Sequence, residues 1–152
     1  MPENYDVLKL TNQLCFPLYA CAREVVKAYT PLLDEIGLTY TQYVTMMVLW
    51  EERRTTSKAL GQRLYLDSGT LTPVLKKLEE KGYLTRCRLK EDERNLCVTL
   101  TDEGMALREK AVSIPARMAG GCIRLKADEA KELYTLLYKL LAQFDKTQEA
   151  NG

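Results

Sequence analysis

The chain has 152 residues, 46% of them hydrophobic and 28% charged, and its net charge is +1, which together predict one ordered globular domain. The absence of histidine excludes histidine-based metal sites, cysteine–histidine nucleophile pairs and serine–histidine–aspartate triads. No apolar run approaches the ~18 residues of a membrane helix, and the N-terminus lacks a signal-peptide pattern, so we expect a cytoplasmic protein without membrane contact.

The first predicted element is a helix over residues 8–36. Its apolar residues follow spacings of three and four, the pattern of a seam that packs against another helix. They are Cys15, Leu18, Ala22, Val25, Tyr29, Leu32 and Ile36. Pro17 and Pro31 predict a bend or a restart, because proline lacks a backbone donor and clashes with the preceding turn. Thr30 is suited to cap a helix that restarts at Pro31.

A second helix is predicted from Thr39 to about Trp50. Thr39 and Gln42 match a capping box, and Leu38 and Tyr43 are spaced as a hydrophobic staple. Its core side is predicted to consist of Val44, Met47 and Val48.

Two further helices follow in close succession. A short one lies near residues 56–64. The next is capped by Asp67 or Ser68 and stopped by Gly82. Its apolar residues form one stripe, which we expect to be buried: Leu71, Val74, Leu75 and Leu78.

Residues 83–89 and 95–101 predict two strands of a hairpin with a polar tip. Leu96, Val98 and Leu100 alternate with polar or small residues, the period of a half-buried strand. A helix is then predicted from Thr101 to about Met118, with a break at Gly120-Gly121. The last helix, about 127–146, carries an apolar face made of Leu133, Leu136, Leu137, Leu140, Leu141 and Phe144.

A short helix, a tight turn, a capped helix and a two-stranded hairpin together predict a winged helix-turn-helix. Residues 53–94 hold eleven lysines and arginines against six acids, a net charge of +5, while the rest of the chain carries −4. Hydroxyl groups and free backbone N–H groups near a helix start suit contact with bases and phosphates. The candidate DNA-binding residues of this helix are Ser68, Thr70, Thr72, Lys76 and Lys77.

The hairpin adds further candidates. Arg86 and Arg88 on its first strand are placed to reach the DNA backbone. Arg94 at the tip is a candidate for insertion into a minor groove, with Asp92 as its buttress. The alternative is that these charges form an ordinary solvated face of a helical domain.

Four segments carry a specific pattern: NQLCF at 12–16, LLDEIGLTYTQY at 32–43, YLDSGTLTPVLKKLEEKGYLTR at 65–86 and KEDERNLCVTLTDEG at 90–104. They resemble the MarR family, in its branch of organic-hydroperoxide-sensing (OhrR-like) repressors. The resemblance is close over about residues 8–104 and extends to the C-terminal helices by pattern only. Pro17 departs from it, because a small helix-forming residue is usual there.

The resemblance implies a mainly α fold with a small β-hairpin wing and a homodimeric repressor of a pseudo-palindromic double-stranded operator. We expect a single domain over residues 1–152. Its winged helix-turn-helix covers about 38–101, and dimerisation helices cover 5–36 and 102–147. The resemblance also implies that organic hydroperoxides oxidise a cysteine of the first helix and so relieve DNA binding.

Cys15 is the candidate sensor. It lies on the seam near a helix start, where backbone donors favour the thiolate that attacks peroxides, and Pro17 favours a helix start that places it in the first turn. The alternative is a small apolar packing residue. The resemblance implies that Tyr29 and Tyr40 donate hydrogen bonds to this sulfur. Tyr29 lies fourteen residues further along, roughly 21 Å on a straight helix, so an antiparallel second chain has to supply it.

The five cysteines are odd in number and widely spaced, which does not predict a disulfide framework. The sequence has no C-x-x-C motif, so no metal site is expected, and no cofactor is implied. Cys122, after two glycines, is a candidate to resolve oxidised Cys15 of the other chain, and a low-molecular-weight thiol is the alternative. Cys21 lies on a different helix face from Cys15. Cys87 and Cys97 come opposite each other if the hairpin centres on Asp92.

Three other functions stay open from the sequence. A MarR-type repressor relieved by a small aromatic ligand shares the DNA-binding half and leaves Cys15 as packing. A thiol peroxidase requires repeated turnover of one thiolate and leaves the basic hairpin unexplained. A protein-binding module predicts partner binding that is insensitive to salt, whereas DNA binding weakens steeply with salt.

Overall fold

The computed structural model describes the backbone of residues 4–151, and the side chains of these residues except 92–94 and 146–151. The described part is mainly helical with one small sheet, which confirms the predicted winged-helix class. Two 3-10 turns precede the first helix, at Tyr5–Leu8 and Leu10–Asn12. The helices are α1 Cys15–Asp34, α2 Tyr40–Glu52, α3 Ser57–Leu64, α4 Ser68–Glu80, α5 Asp102–Ala111, α6 Ile114–Gly121 and α7 Ala127–Asn151. The strands are β1 Arg54–Thr56, β2 Leu84–Leu89 and β3 Asp92–Leu100.

The chain divides into two compact units, residues 1–118 and 119–152. The first contains the winged helix-turn-helix, and its core joins α1–α6 to the sheet through residues such as Leu33, Met46, Leu60, Leu75 and Val98. The second consists mainly of α7. None of the described helices combines the length and apolarity needed to cross a bilayer. The predicted domain boundaries stay a prediction.

Helix α1 starts later than predicted and does not break. Residues before Cys15 instead form the 3-10 turns, and side-chain amides close them: Asn12 Nδ2 donates to the Asp6 carbonyl at 2.7 Å, and Gln13 Nε2 to the Val7 carbonyl at 2.7 Å. The predicted restart of the helix at Pro31, with Thr30 as its cap, was wrong, because Pro31 lies inside α1. The helix continues to Asp34 because its last turn is anchored in the core, where Leu33 is 1% exposed.

The capping box of α2 is confirmed, since Thr39 Oγ1 accepts from the Gln42 N–H and Gln42 Oε1 accepts from the Thr39 N–H. The predicted core side was partly wrong. Met47 is 38% exposed, whereas Met46 and Leu49 are fully buried. Helix α2 packs against several elements (α1, α3, α4 and α5). One stripe therefore does not describe its buried surface.

The sheet has the order β1-β3-β2, and both pairs are antiparallel. Strand β1 was not predicted, because three residues show no usable period. It makes β3 the central strand, and this explains why Cys97, expected on the polar side, is buried. Arg54 of β1 lies over Cys97, with its Nε 3.0 Å from the sulfur.

The single helix predicted over 101–118 is two helices. Pro115 has no N–H to donate to the Ala111 carbonyl one turn earlier, and α5 ends at Ala111. Helix α6 then runs through Gly120 and ends at Gly121. The hairpin is also tighter than predicted, since β3 begins at Asp92.

Gly104 lets α5 approach the wing closely, so Gly104→Ala is expected to destabilise the protein by about 1–3 kcal/mol through overpacking. A Cβ there would lie 2.2 Å from the Tyr83 carbonyl oxygen and 2.7 Å from Leu100 Cδ1. Urea unfolding at matched protein concentration measures this effect. Gly120→Ala is the control, because its Cβ meets nothing within 4 Å. Equal stability of Gly104→Ala and the parent would contradict the predicted clash.

Candidate functional site

Helix α4 presents the predicted DNA-binding residues on one exposed side. Asp67 is its N-cap, with Oδ1 accepting from the Thr70 N–H at 2.7 Å. The opposite side is buried through Leu71, Leu75 and Leu78. The predicted residues Ser68, Thr70, Thr72, Lys76 and Lys77 are all exposed. The side that faces away from the core is therefore small and hydroxyl-bearing near the helix start and basic further along.

The Asp67 cap makes the start of α4 sensitive to acid. The Asp67 carboxylate accepts hydrogen bonds from the backbone N–H and the side chain of Thr70. These bonds, of which the one from the N–H has the larger effect, hold the pKa of Asp67 below its usual value of 3.8. A carboxyl with a lowered folded-state pKa stabilises the fold above its unfolded value, and this contribution is lost as the pH falls through the lowered pKa. Asp67→Ala should therefore lose stability at neutral pH, and Asp67→Asn should keep the cap and lose this acid dependence. Thermal unfolding from neutral pH to below pH 3.8 compares the variants, and equal stability of Asp67→Ala and parent contradicts the role of the cap.

The two arginines of the first wing strand differ in their surroundings. Arg88 is exposed. Arg86 is half-buried on Glu79, which accepts its backbone N–H at 2.7 Å and its Nη2 at 3.2 Å. Arg86 thus ties the wing to α4 instead of standing free. The side chains of Asp92 and Arg94 lie outside the described residues.

Strand β3 of the wing is fixed to α3. Asn95 Oδ1 accepts from the Ser57 hydroxyl and from the Lys58 N–H, each at 3.1 Å, and Ser57 Oγ accepts from the Leu96 N–H at 3.0 Å. Neither Ser57 nor Asn95 belongs to a motif of the sequence that predicts this role. Their contacts join residues 38 positions apart, which no local pattern reveals.

Cys15 is the first residue of α1 and is exposed. The predicted position in the first turn is therefore confirmed. Leu14, the N-cap, makes no side-chain capping bond. The first turn of a helix carries backbone N–H groups without intrahelical acceptors, and such groups favour a nearby anion.

Three tyrosines cluster where α1 meets α2. The ring centroids of Tyr29 and Tyr40 are 5.0 Å apart, and Tyr43 lies 5.8 Å from Tyr29 and 6.3 Å from Tyr40. Burial raises the pKa of each phenol, and that of Tyr43 to about 12. All three are therefore protonated hydrogen-bond donors at neutral pH. Tyr43 was predicted only as part of a hydrophobic staple, although its spacing of three from Tyr40 places both tyrosines on one side of α2.

The structure joins the two predicted tyrosines but keeps them apart from Cys15 within one chain. Helix α1 is continuous from Cys15 to Asp34. Fourteen residues at 1.5 Å each separate Cys15 from Tyr29 by roughly 21 Å. The phenols of Tyr29 and Tyr40 therefore reach this sulfur only from another chain.

All five cysteines are free thiols. Cys21 is exposed on α1, and Cys122 is exposed after α6, in the second unit. Cys87 and Cys97 are direct register partners in the wing, as predicted. Among the described residues, no group of histidine, cysteine and carboxylate side chains is arranged to hold a metal ion.

Large apolar side chains are exposed on two parts of the chain. The first part precedes or begins α1 and includes Tyr5, Val7, Leu8, Leu10, Leu14 and Phe16. The second lies on α7, where four residues of the predicted apolar face are exposed, Leu133, Leu136, Leu140 and Phe144, together with Tyr134 and Tyr138. Apolar surface on this scale is typical of a protein–protein interface.

The chain is similar to known transcriptional regulators along most of its length. A family model described as transcriptional regulator SarA/Rot matches residues 27–111. The organic hydroperoxide resistance transcriptional regulator of Bacillus subtilis is 48% identical over 141 residues, which cover 93% of this chain and 95% of the relative. The regulator SarZ of Staphylococcus epidermidis is 40% identical over 92% of this chain and 95% of its own. The solved structure of reduced AbfR bound to DNA aligns with a TM-score of 0.73 at 36% identity, covering 90% of this chain and 95% of AbfR.

Proposed function

Because this chain belongs to the MarR family of transcriptional regulators, in its organic-hydroperoxide-sensing branch, we propose that Cys15 is the peroxide sensor of a homodimeric repressor. The reduced dimer binds double-stranded operator DNA, and oxidation of Cys15 by an organic hydroperoxide releases it. The observation that carries this proposal is the separation along α1. A thiol stands at the first turn, and a cluster of protonated phenols lies about four helical turns away.

A twofold dimer turns this separation into a site. If two α1 helices cross antiparallel about a twofold axis, the thiol end of one chain meets the tyrosine end of the other. The exposed apolar residues before α1 and on α7 support such a dimer, because association would remove them from water. Each sensing site then contains Cys15 of one subunit and the partner's Tyr29 and Tyr40.

The twofold axis also explains the proposed operator. Two copies of α4 and two wings present the same exposed hydroxyl and basic side chains to two half-sites, so a pseudo-palindromic duplex fits the dimer. Exposed Lys76, Lys77 and Arg88 neutralise phosphates, and Ser68, Thr70 and Thr72 lie close to the helix start that faces the groove. Arg86 positions the wing through Glu79.

The chemistry needs one oxidant and one thiol. The Cys15 sulfur attacks the O–O bond of the hydroperoxide, which yields a sulfenic acid and an alcohol. A second thiol attacks the sulfenic sulfur, which forms a disulfide and releases water. The partner's Cys122 or a low-molecular-weight thiol supplies it. We propose that the protein reacts once per release, as a switch and not as a turnover enzyme.

The energy available matches the size of a genetic switch. A hydrogen bond to a charged group contributes ~1.5–3 kcal/mol. Oxidation converts the thiolate that accepts the two phenolic hydrogen bonds into an uncharged sulfenic acid and then a disulfide, and so adds bulk at the subunit junction. If the loss of these hydrogen bonds is fully coupled to the distance between the two copies of α4 and the wing, operator affinity falls by about a hundredfold or more.

A gel shift on DNA from upstream of the protein's own gene tests the proposal. Reduced protein should bind, cumene hydroperoxide should release it, and dithiothreitol should restore binding. Added salt should weaken the complex steeply. Binding that survives full oxidation would remove the sensor role and leave the repressor role standing, whereas no binding by the reduced protein would remove both.

The proposed phenol donors can be tested one hydroxyl at a time. Tyr29→Phe and Tyr40→Phe should each slow the reaction of Cys15 with cumene hydroperoxide about tenfold or more, because each removes one donor to the developing anion. Stopped-flow measurement of sulfenic-acid formation gives the rates. Tyr83→Phe, in the half-buried turn before β2, is the matched control and should react like the parent. Unchanged rates in both cluster variants would show that the phenols only pack.

A further inference from the structure

The wing carries two cysteines directly opposite each other. Strands β2 and β3 pair in the register Cys87↔Cys97, and Thr56 of β1 flanks Cys97 on the other side. Opposed residues of antiparallel strands point to the same face, with Cβ atoms about 4.5–5.5 Å apart. A disulfide needs Cβ atoms about 3.5–4.5 Å apart. A small inward movement of the two strands is therefore enough to join these sulfurs.

The two thiols differ in a way that suits two successive steps. Cys87 is exposed and open to a dissolved oxidant. Cys97 is only 6% exposed, because the Arg54 side chain lies over it and donates Nε–H to its sulfur at 3.0 Å. This contact with a cationic donor holds the Cys97 side chain in place within the wing.

We propose that Cys87 and Cys97 form a second redox site, in which a hydroperoxide oxidises Cys87 and Cys97 then closes an intrachain disulfide across the wing. In the first step the Cys87 sulfur attacks the O–O bond, an S–O bond forms, and the alkoxide leaves as an alcohol after taking a proton. In the second step the Cys97 sulfur attacks the sulfenic sulfur, an S–S bond forms, and the hydroxyl leaves as water with the Cys97 proton. Two thiols are oxidised by two electrons, and one hydroperoxide is reduced to one alcohol and one water.

The position of this pair links it to DNA binding. Arg88 follows Cys87 directly, and a bond at this register draws β2 towards β3 in the middle of the wing. Closing the disulfide also converts the Cys97 thiol, to which Arg54 Nε donates, into a disulfide sulfur. We expect the crosslinked wing to hold Arg88 away from the phosphate that it meets in the reduced protein. This effect on DNA rests on the proposed function, whereas the disulfide itself does not.

A variant that lacks Cys15 and Cys122 allows oxidation of Cys87 and Cys97 to be measured separately from oxidation of the proposed sensor. The full chain with Cys15→Ser and Cys122→Ser is treated with excess cumene hydroperoxide, denatured in acid, alkylated and mapped by mass spectrometry. We expect Cys87 and Cys97 to escape alkylation as one linked peptide pair, and Cys21, also exposed, to remain alkylated. Dithiothreitol should restore both thiols. The Kd for the upstream DNA should rise about tenfold on oxidation and return on reduction.

Further variants separate the outcomes. With Cys97→Ser added, Cys87 should stop at a sulfenic acid that dimedone traps; with the exposed Cys87→Ser added instead, Cys97 should stay a free thiol. Two thiols that stay alkylatable, at an oxidant dose that fully oxidises Cys15 in the parent, would overturn the proposal, and so would a Cys87 disulfide found only between chains. A crosslinked wing with unchanged DNA affinity would overturn its regulatory effect.

Discussion

Cys15→Ser is expected to bind operator DNA as tightly as the parent and to stay bound after treatment with organic hydroperoxide. Serine keeps the size of the side chain but lacks the sulfur that attacks the O–O bond. Cys15 is exposed at the first turn of α1, outside α4 and the wing, so its replacement leaves the proposed DNA-contacting surface intact. Hydroperoxide should lower the operator affinity of the parent about a hundredfold. The operator affinity of the variant should fall by no more than the roughly tenfold effect expected from the Cys87–Cys97 disulfide. Fluorescence anisotropy with labelled operator measures both affinities.

Matched variants make this result specific. Cys21→Ser removes an exposed thiol of the same helix and should respond like the parent. Cys122→Ser should still form the sulfenic acid on Cys15, and its failure to proceed to a disulfide without added thiol would assign the resolving role to Cys122. A Cys15→Ser protein released as fully as the parent would contradict the sensor. Release by a small aromatic compound instead would identify a ligand-relieved repressor, and sustained peroxide consumption without DNA binding would identify a thiol peroxidase.

The local patterns of the sequence were sufficient for the helix-turn-helix and its wing. The capping box at Thr39, the cap at Asp67, the leucine stripe of α4 and the stop at Gly82 are short-range features, and each appears where it was predicted. The glycine has φ 85°, a conformation that favours a residue without a Cβ. These features placed the exposed side of α4, which carries the candidate DNA contacts.

The errors arose where a distant contact overrides a local preference. Pro31 looked like a break, but burial of Leu33 in the core keeps α1 continuous. Strand β1 is visible only through its pairing with β3, and it buries Cys97 under Arg54. The sequence also did not show that Glu79, seven residues before Arg86, accepts hydrogen bonds from its backbone N–H and its guanidinium. The spacing of residues within one helix also did not predict that Tyr43 packs against Tyr29, because these residues lie on different helices.

Reversing the charge of Lys76 and Arg88 is expected to weaken operator binding at least about a hundredfold near physiological salt. Both side chains are exposed, one on the side of α4 opposite its buried leucines and one on the first strand of the wing. The double variant Lys76→Glu, Arg88→Glu removes two proposed phosphate contacts per subunit and places a repelling carboxylate at each. The effect is doubled in a dimer, because both half-sites lose the same contacts.

The salt dependence distinguishes lost contacts from a general change in charge. Each phosphate contact contributes about 0.9 to the slope of log K against log salt, so the double variant should show a clearly shallower slope than the parent. The matched control is Arg108→Glu with Lys110→Glu, which changes the net charge equally on the exposed last turn of α5. Circular dichroism confirms that both variants fold, and anisotropy titrations at several salt concentrations give the slopes. If the α5 control lost as much affinity and slope as the α4–wing variant, the binding would depend on overall charge alone, and α4 and the wing would not be the DNA-contacting surface.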